Sequence, residues 1–263
     1  MPMAGPSNGS SPDRPGIWLS HQLAAPAGFV PAWLKASEAE TLGLFSGRRR
    51  SEYLTSRWLI RQAIHRYSGA GLVDCVPVCG RPVATEAPAG LHLSLSHSHG
   101  VTACAVATGP IGLDLEPADR RTDWARVAKR WFTPVEQAWL FQDNDPSAFL
   151  KVWTLKEAWL KATGRGIAGN LQTLEVRRGF ELYGDQADQT WQASCFYVEG
   201  FLLTLVHPAD RWPDAALWPR VQLLEPPPED FSLTPGHDLD THWEPLFQRG
   251  VRGHSLNRPS HHD

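Results

Sequence analysis

Residues 91–96 and 111–116 alternate apolar and polar side chains with a period of two, which is the pattern of half-buried β-strands. A first strand begins at Leu91, a second covers residues 101–107, and a third runs from Ile111 to Pro117, which ends it. In the first and third strands the apolar residues share one face and the polar residues share the other. The pattern therefore predicts a sheet built from neighbouring strands, with a polar face available at the third strand.

Helical signals lie on both sides of these strands. A helix is predicted over residues 49–67, ended by Gly69. Residues 133–136, Thr-Pro-Val-Glu, form a capping box with proline at the first helical position. Asp145-Pro146 opens another helix in the same way, and we expect it to continue to Gly164. Four short apolar runs between residues 174 and 207 then predict antiparallel strands.

Helices and strands are grouped along the chain, which predicts an α+β fold and argues against a doubly wound sheet. Because the order of helix followed by strands occurs twice, we expect two similar lobes related by pseudo-two-fold symmetry. The expected divisions are a flexible start, an N-terminal lobe, a C-terminal lobe that carries the candidate metal site, and an irregular tail containing Pro and His. They cover residues 1–16, 17–109, 110–224 and 225–263, respectively.

Charge and composition exclude several classes of function. A net charge of −3 provides no overall basic field for nucleic acid or an anionic membrane. Residues 1–16 lack the apolar run of a secretory signal, and prolines, serines and histidines interrupt the uncharged stretch 87–113, which argues against a membrane helix. The four cysteines are scattered and include no CxxC pair, as expected for free thiols in a reducing compartment. We therefore expect a cytoplasmic protein.

Asp114 and Glu116 are the first candidate site residues. Because they are two apart on a predicted strand, both carboxylates lie on one face, with backbones about 6.5 to 7 Å apart. Two carboxylates on one face repel unless a cation or donor neutralises them, and hard oxygen ligands suit Mg²⁺. A plain solvated polar face is the competing interpretation.

Glu157 and Lys161 are the second candidates, on the helix over residues 152–161. Their i, i+4 spacing also fits a surface ion pair worth about 0.3 to 0.5 kcal/mol. However, Trp153 lies one turn earlier on the same face, which indicates that this face is partly buried. A third feature is a row of arginines on the earlier helix, Arg50, Arg57 and Arg61, and a row of this kind is usually a solvated face.

Several motifs, in this order, resemble those of the Sfp-type 4′-phosphopantetheinyl transferases. The resemblance covers about residues 48–205, and the order and spacing of the motifs are more specific than any one of them. The motifs are Gly80-Arg81-Pro82, Ser94-Leu95-Ser96-His97-Ser98, Ile111-Gly112-Leu113-Asp114-Leu115-Glu116, Phe132 with Glu136, and Trp153-Thr154-Leu155-Lys156-Glu157-Ala158 with Lys161.

The resemblance implies a two-lobed α+β fold with coenzyme A held in a cleft between the lobes. It implies that Asp114, Glu116 and Glu157 hold Mg²⁺ against the pyrophosphate of coenzyme A. The residues that it assigns to coenzyme A itself are Ser96 and His97 at phosphates, Arg81 near the 3′-phosphate or adenine, Lys161 at pyrophosphate oxygens, and Arg57 at a phosphate, with Arg50 or Arg61 able to take the place of Arg57.

The implied reaction moves the phosphopantetheine arm of coenzyme A to a serine of an apo acyl or peptidyl carrier protein. It leaves adenosine 3′,5′-bisphosphate. Catalysis then consists of charge neutralisation and in-line positioning, with Glu157 or a metal-bound water accepting the serine proton. Fatty acid, polyketide and nonribosomal peptide carriers all remain open as acceptors. Because both lobes lie in one chain, the resemblance also implies a functional monomer.

Two features depart from the family pattern, and three rival functions remain. Arg81 replaces the family's usual lysine, which keeps the charge but changes the contact geometry, and the proline-rich tail has no counterpart. A serine hydrolase using Ser96 and His97 is disfavoured, since adjacent strand residues point to opposite faces. The second rival is a catalytically silent scaffold that binds carrier proteins, and the third is a Mg²⁺-dependent nucleotide pyrophosphohydrolase.

Overall fold

A computed structural model describes residues 14–166, 169–186, 189–209, 218–239 and 242–253. Within these ranges the chain forms α-helices and β-strands, and two short 3-10 turns at Leu72–Asp74 and Leu171–Thr173. The helices are α1 (Ala36–Gly43), α2 (Gly47–Ser68), α3 (Trp124–Trp131), α4 (Pro134–Asp143) and α5 (Pro146–Ala162). The strands are β1 (Gly16–His21), β2 (Val76–Pro77), β3 (Thr85–Ala87), β4 (His92–Ser98), β5 (Val101–Ala107), β6 (Gly112–Pro117), β7 (Leu174–Arg177), β8 (Glu181–Gly184), β9 (Trp191–Val198), β10 (Phe201–Pro208), β11 (Arg220–Leu224), β12 (Asp238–Leu239) and β13 (Pro245–Gly253).

The strands form two large mixed sheets and one small one. The first large sheet has the order β12-β11-β1-β5-β4, and the second has the order β6-β10-β9-β13-β8-β7. Most neighbours are antiparallel, whereas β1 pairs with β11 and β8 pairs with β13 in parallel. Strands β4 and β6 are therefore edge strands of different sheets. The α+β class predicted from the sequence is confirmed.

Local sequence signals explain where the main helices start and stop. Helix α2 ends at Gly69, which adopts a left-handed conformation with φ of 74°. The Thr133 hydroxyl caps α4 by accepting a bond from the Glu136 amide. The Glu136 carboxylate accepts a 2.7 Å bond from the Thr133 amide, as the capping box predicts. Asp145 caps α5 by accepting a bond from the Ser147 amide at 2.8 Å.

Helix α2 packs on one large sheet and helix α5 on the other. Trp58, Leu59 and Ile60 of α2 share a buried cluster with Leu93 and other residues of the first sheet. Leu155 and Trp159 of α5 lie in a second cluster with residues of the second sheet. A further cluster joins the two sheets directly and includes Ile17, Leu19, Leu113, Leu115, Phe196 and Leu203. This shared core brings β4 and β6 together.

The C-terminal part of the chain differs from the predicted irregular tail. Strand β11, expected in the C-terminal lobe, lies beside β1 in the first sheet, and residues 245–253 form β13 inside the second sheet. Between them, Phe231 is fully buried and its carbonyl accepts a 2.7 Å bond from the Trp33 indole. The division at residue 224 therefore does not follow the sheets, because distant segments pair with earlier strands. Two similar lobes with pseudo-two-fold symmetry remain a prediction.

The predicted start and tail also include residues outside the described ranges. These are residues 1–13, 240–241 and 254–263, and His254, His261 and His262 belong to the last group. The start was expected to extend to Gly16, but Gly16 is already the first residue of β1. None of the helices in the described ranges is both long enough and apolar enough to cross a membrane.

Candidate active site

A close approach between α5 and β6 builds the site. A Cβ on Gly112 would lie 1.9 Å from the Ala158 carbonyl oxygen and 2.4 Å from the Ala162 amide nitrogen. Only glycine therefore allows the helix backbone to cross the strand at this point. The crossing places Glu157 and Lys161, which flank Ala158 on α5, above the polar face of β6.

Asp114 is the most tightly held of the predicted carboxylates. Its Oδ1 accepts a 2.9 Å bond from Lys161 Nζ and a 3.2 Å bond from the Ser96 hydroxyl. Lys161 also donates to the Leu113 carbonyl at 2.7 Å. The Oδ2 atom of Asp114 is buried and has no hydrogen-bond partner among the described residues. One oxygen of this carboxylate is therefore bound by the protein, and the other is left for a ligand.

Glu116 lies on the same face, as predicted from the two-residue spacing. It forms an ion pair with Arg120, and Ser98 donates to its Oε2 at 3.4 Å. Burial raises the pKa of Glu116, and the nearby Asp114 charge adds to that effect, while Arg120 opposes it. The solvated-face interpretation is thus wrong for Asp114, which is 6% exposed, while Glu116 is half-buried.

Glu157 completes a group of three acidic side chains. Burial raises its pKa to about 7, with further contributions from Asp114 and Glu116 and an opposing one from Lys161. The three carboxylates therefore repel one another in this arrangement. Across the ranges that the structure describes, no three His, Cys, Asp or Glu side chains form a ready-made metal cluster. Mutual repulsion and the orphaned Asp114 Oδ2 nevertheless fit a site that a cation would stabilise.

The helix face that carries Glu157 is partly buried, as the position of Trp153 predicted. Trp153 packs against Phe132 and Phe149, with ring centroids 6.5 and 6.4 Å away. Lys161 forms its ion pair with Asp114, so the surface-pair interpretation does not describe it.

A cleft of about 500 Å³ opens beside Lys161. One wall comes from the segment that includes Arg81 and from β4, and the other comes from Pro110, Ile111 and the end of α5. Arg81 is exposed at this cleft, and Lys161 reaches from it to Asp114. The cleft therefore adjoins the carboxylates and lies between elements of the two large sheets.

The arginine row on α2 is buried, contrary to the solvated-face interpretation. Arg61 donates to Glu38 Oε2 at 2.6 Å, and Arg57 Nε lies 3.6 Å from Glu38 Oε1. Arg57 also donates to the Gly80 carbonyl at 3.1 Å, next to Arg81. Arg50 donates to the Leu42 carbonyl at 2.9 Å. Neutralisation by Glu38 and carbonyl oxygens makes this burial possible.

The two remaining predicted residues lie at the end of β4. His97 is exposed, whereas Ser96 is buried and its hydroxyl faces β6. Sequence reasoning missed the partners of the carboxylates, Ser98 and Arg120, and gave Ser94 no role. The two-residue spacing of Ser94, Ser96 and Ser98 was the available signal, since it places all three on one face.

Lys156 and Glu136, both from the motifs, lie away from this site. Both side chains are fully buried, 2.7 Å apart. Glu136 also accepts a bond from the Val176 amide at 2.8 Å, and Lys156 donates to the Leu171 carbonyl at 2.7 Å. The pair therefore connects α4, α5 and the second sheet.

Comparison with known proteins identifies the segment that carries the site. The model of the 4′-phosphopantetheinyl transferase superfamily matches residues 110–206. The match contains Asp114, Glu116, Glu157 and Lys161, and it confirms the resemblance predicted from the motifs.

Curated members of the superfamily are similar to this chain over part of their length. The 4′-phosphopantetheinyl transferase HetI of Nostoc sp. is 41% identical over 103 residues, which are 37% of this chain and 43% of HetI. The transferase psf-1 of Bacillus pumilus is 30% identical over 149 residues, 54% of this chain and 62% of psf-1. Sfp of Bacillus subtilis is 31% identical over 101 residues, 37% of this chain and 44% of Sfp. The chain thus spans about half the length of these relatives.

Proposed function

We propose that this protein transfers the 4′-phosphopantetheine arm of coenzyme A to a serine of an apo acyl or peptidyl carrier protein. The products are the holo carrier protein and adenosine 3′,5′-bisphosphate. One observation carries the proposal: Asp114, paired with Lys161 beside an open cleft, lies close enough to Glu157 to raise its pKa, within the segment that matches the transferase superfamily.

We assign the metal to Asp114, Glu116 and Glu157. Their chemistry suits Mg²⁺, which prefers carboxylate oxygens and keeps positions open for water and phosphate. When bound, Mg²⁺ supplies positive charge against the pyrophosphate oxygens of coenzyme A. The buried Asp114 Oδ2 supports this assignment, since a buried carboxylate oxygen otherwise lacks a partner.

We assign coenzyme A to the cleft beside Lys161. Arg81 and His97 are exposed and able to contact phosphates, and Lys161 lies at the cleft, where its positive charge would act on pyrophosphate oxygens. Ser96, through its main chain, and Arg57 are the other proposed coenzyme A residues. The Arg57 side chain already donates to the Gly80 carbonyl, which supports a role in holding the segment that carries Arg81.

The reaction is a displacement at the phosphorus on the pantetheine side of the pyrophosphate. The carrier serine oxygen forms the new bond to this phosphorus, and the bond to the bridging oxygen breaks as adenosine 3′,5′-bisphosphate leaves. Lys161 stabilises the charge that develops on the phosphate oxygens. Glu157 accepts the serine proton, a role that its pKa of about 7 suits. We further propose a cytoplasmic monomer, consistent with four free cysteines.

Intact-protein mass spectrometry tests the function. The protein is incubated with Mg²⁺, coenzyme A and several apo carrier proteins, with EDTA as a control. We expect a carrier to gain the mass of one phosphopantetheine arm, and EDTA to prevent the gain. Glu157→Ala should abolish transfer, whereas Glu229→Ala, at an exposed glutamate outside the site, should not.

Different outcomes favour the rival functions. Carrier binding by the wild-type protein without any mass gain would favour a silent scaffold. Hydrolysis of coenzyme A without a carrier would favour a pyrophosphohydrolase. Failure to bind coenzyme A would contradict both the transferase and the coenzyme A hydrolase.

A further inference from the structure

Three serines of β4 face the outer edge of β6. The hydroxyl of Ser94 accepts a 2.9 Å bond from the Leu113 amide, and that of Ser96 accepts a 3.2 Å bond from the Leu115 amide. Ser98 donates to Glu116 at 3.4 Å. Three alternate residues of β4 therefore contact three residues of β6.

These serine contacts supply hydrogen-bond partners for the edge strand β6. Among the described strands, β6 pairs only with β10, so the amides of Leu113 and Leu115 on its outer side require other partners. Serine side chains from the first sheet supply them. The two large sheets are thus joined by hydroxyl groups at the point where the carboxylates begin.

The hydroxyl of Ser96 has used its full bonding capacity. It donates its one proton to Asp114 Oδ1, and it accepts bonds from the Leu115 amide and, at 3.3 Å, from Lys161 Nζ. A hydroxyl has one donor and two acceptor lone pairs. With Ser96 8% exposed, no donor remains on this side chain for a phosphate.

The bonds at Asp114 fix the orientation of its carboxylate. Ser96 and Lys161 both donate to Oδ1, which leaves Oδ2 as the atom without a partner among the described residues. Rotation of the carboxylate would break both bonds at once.

We propose that Ser96 is a positioning residue that aims Asp114 Oδ2 at the cation, and that its hydroxyl does not bind the nucleotide. This inference rests on the proposed function, since it deepens the metal assignment made there. A contact between coenzyme A and the main chain of Ser96 is compatible with it. Ser94 only joins the two sheets, because its hydroxyl bonds to the Leu113 amide and not to a carboxylate.

Metal affinity without coenzyme A tests the inference. Mn²⁺ binding is measured by electron paramagnetic resonance for the wild-type protein and for Ser96→Ala, Ser94→Ala and Ser96→Thr. We expect Ser96→Ala to weaken Mn²⁺ binding about tenfold, as loss of a residue that orients a ligand does. Ser94→Ala removes one bond between the sheets but should keep Mn²⁺ affinity within about threefold. Ser96→Thr restores the hydroxyl and should restore most of the affinity.

Kinetics with coenzyme A and 3′-dephospho-coenzyme A provide the second readout. We expect Ser96→Ala to lower kcat about tenfold with either substrate, because the metal carboxylate is misaligned in both cases. If Ser96→Ala does not fold, Ser96→Cys replaces it, since a thiol has nearly the same size but bonds weakly. The same losses are expected.

Two results would overturn the inference. In the first, Ser96→Ala leaves the Mn²⁺ affinity unchanged and raises the KM for coenzyme A but not the KM for 3′-dephospho-coenzyme A. This result would assign the Ser96 hydroxyl to the 3′-phosphate. The other is an absence of Mn²⁺ binding by the wild-type protein. Failure of the proposed function would be recognised separately. A wild-type protein that binds Mn²⁺ but modifies no carrier would contradict the transferase function, and the Mn²⁺ affinities of the variants could still be compared.

Discussion

The backbone of α5 crosses β6 so closely that the Ala158 carbonyl oxygen occupies the space of a Cβ on Gly112. This contact fixes the height of the helix above the strand. Because Glu157 and Lys161 flank Ala158, the same contact sets their distance from Asp114. The glycine therefore determines the geometry of the site without taking part in its chemistry.

Gly112→Ala should both destabilise the protein and abolish transfer. The new methyl group would meet backbone atoms at 1.9 and 2.4 Å, which cannot move as a side chain can. Overpacking of this kind costs about 3 kcal/mol. Urea unfolding measures the loss. Gly43→Ala is the matched control, because its Cβ would meet nothing within 4 Å; equal effects of the two variants would contradict the prediction.

Glu157→Gln should stabilise the metal-free protein at pH 8. Burial raises the pKa of Glu157 from 4.5 to about 7, so the folded protein holds this proton more tightly than the unfolded chain does. The contribution of Glu157 to the free energy of unfolding is therefore fully present below pH 4.5. It is lost as the pH rises through 7, and the loss is at most about 3 kcal/mol.

The comparison is made by urea unfolding of both proteins in EDTA. The advantage of the variant should disappear as the pH falls to 4.5. A difference that does not change with pH would contradict the assigned cause. Glu229→Gln, at an exposed glutamate, provides the baseline.

His207 should make the protein sensitive to mild acid. Burial lowers its pKa from 6.5 to about 4, and its Nδ1 donates to the Pro208 carbonyl at 3.0 Å. Below pH 6.5 the unfolded chain binds this proton and the folded protein does not. The free energy of unfolding should fall by about 3 kcal/mol between pH 6.5 and 4.

His207→Asn should show a smaller decrease in stability over this pH interval, measured by urea unfolding at several pH values. His21→Gln, at an exposed histidine, should retain the wild-type slope. If His207→Asn also keeps the wild-type slope, another group is responsible.

Lys156→Met should destabilise the protein by about 3 to 5 kcal/mol, since it leaves the buried Glu136 carboxylate without its counter-ion. The double variant with Glu136→Gln should lose less, because no buried charge then lacks a partner. Thermal unfolding of both single variants and the double variant gives the coupling energy. Additive losses would show that the two side chains act independently.

Arg57→Gln should raise the KM for coenzyme A about tenfold and change kcat less than twofold, roughly the effect of losing one charge-assisted bond. Arg57 holds the Gly80 carbonyl beside Arg81, so its loss should release the segment that forms one wall of the cleft. Steady-state kinetics measure both parameters. Arg48→Gln, at an exposed arginine on the same helix, serves as the control.

Much of the secondary structure could be read from the chain. Strand β5 was predicted with its observed ends, and the capping residues of α4 and α5 were identified. These elements depend on local signals such as two-residue alternation, capping side chains and proline at the first helical turn. Helix α3 was missed.

The strand and helix periods predicted that Asp114 and Glu116 share a face and that Glu157 and Lys161 share another, because periodicity fixes the direction of side chains. It could not show what covers each face. The tertiary structure decided that Arg57 and Arg61 are buried, since Glu38 from another helix neutralises them. It also decided that β11 pairs with β1, from the opposite end of the chain, and that serines of β4 bond to β6. Such contacts depend on packing between distant segments, and no local pattern encodes them.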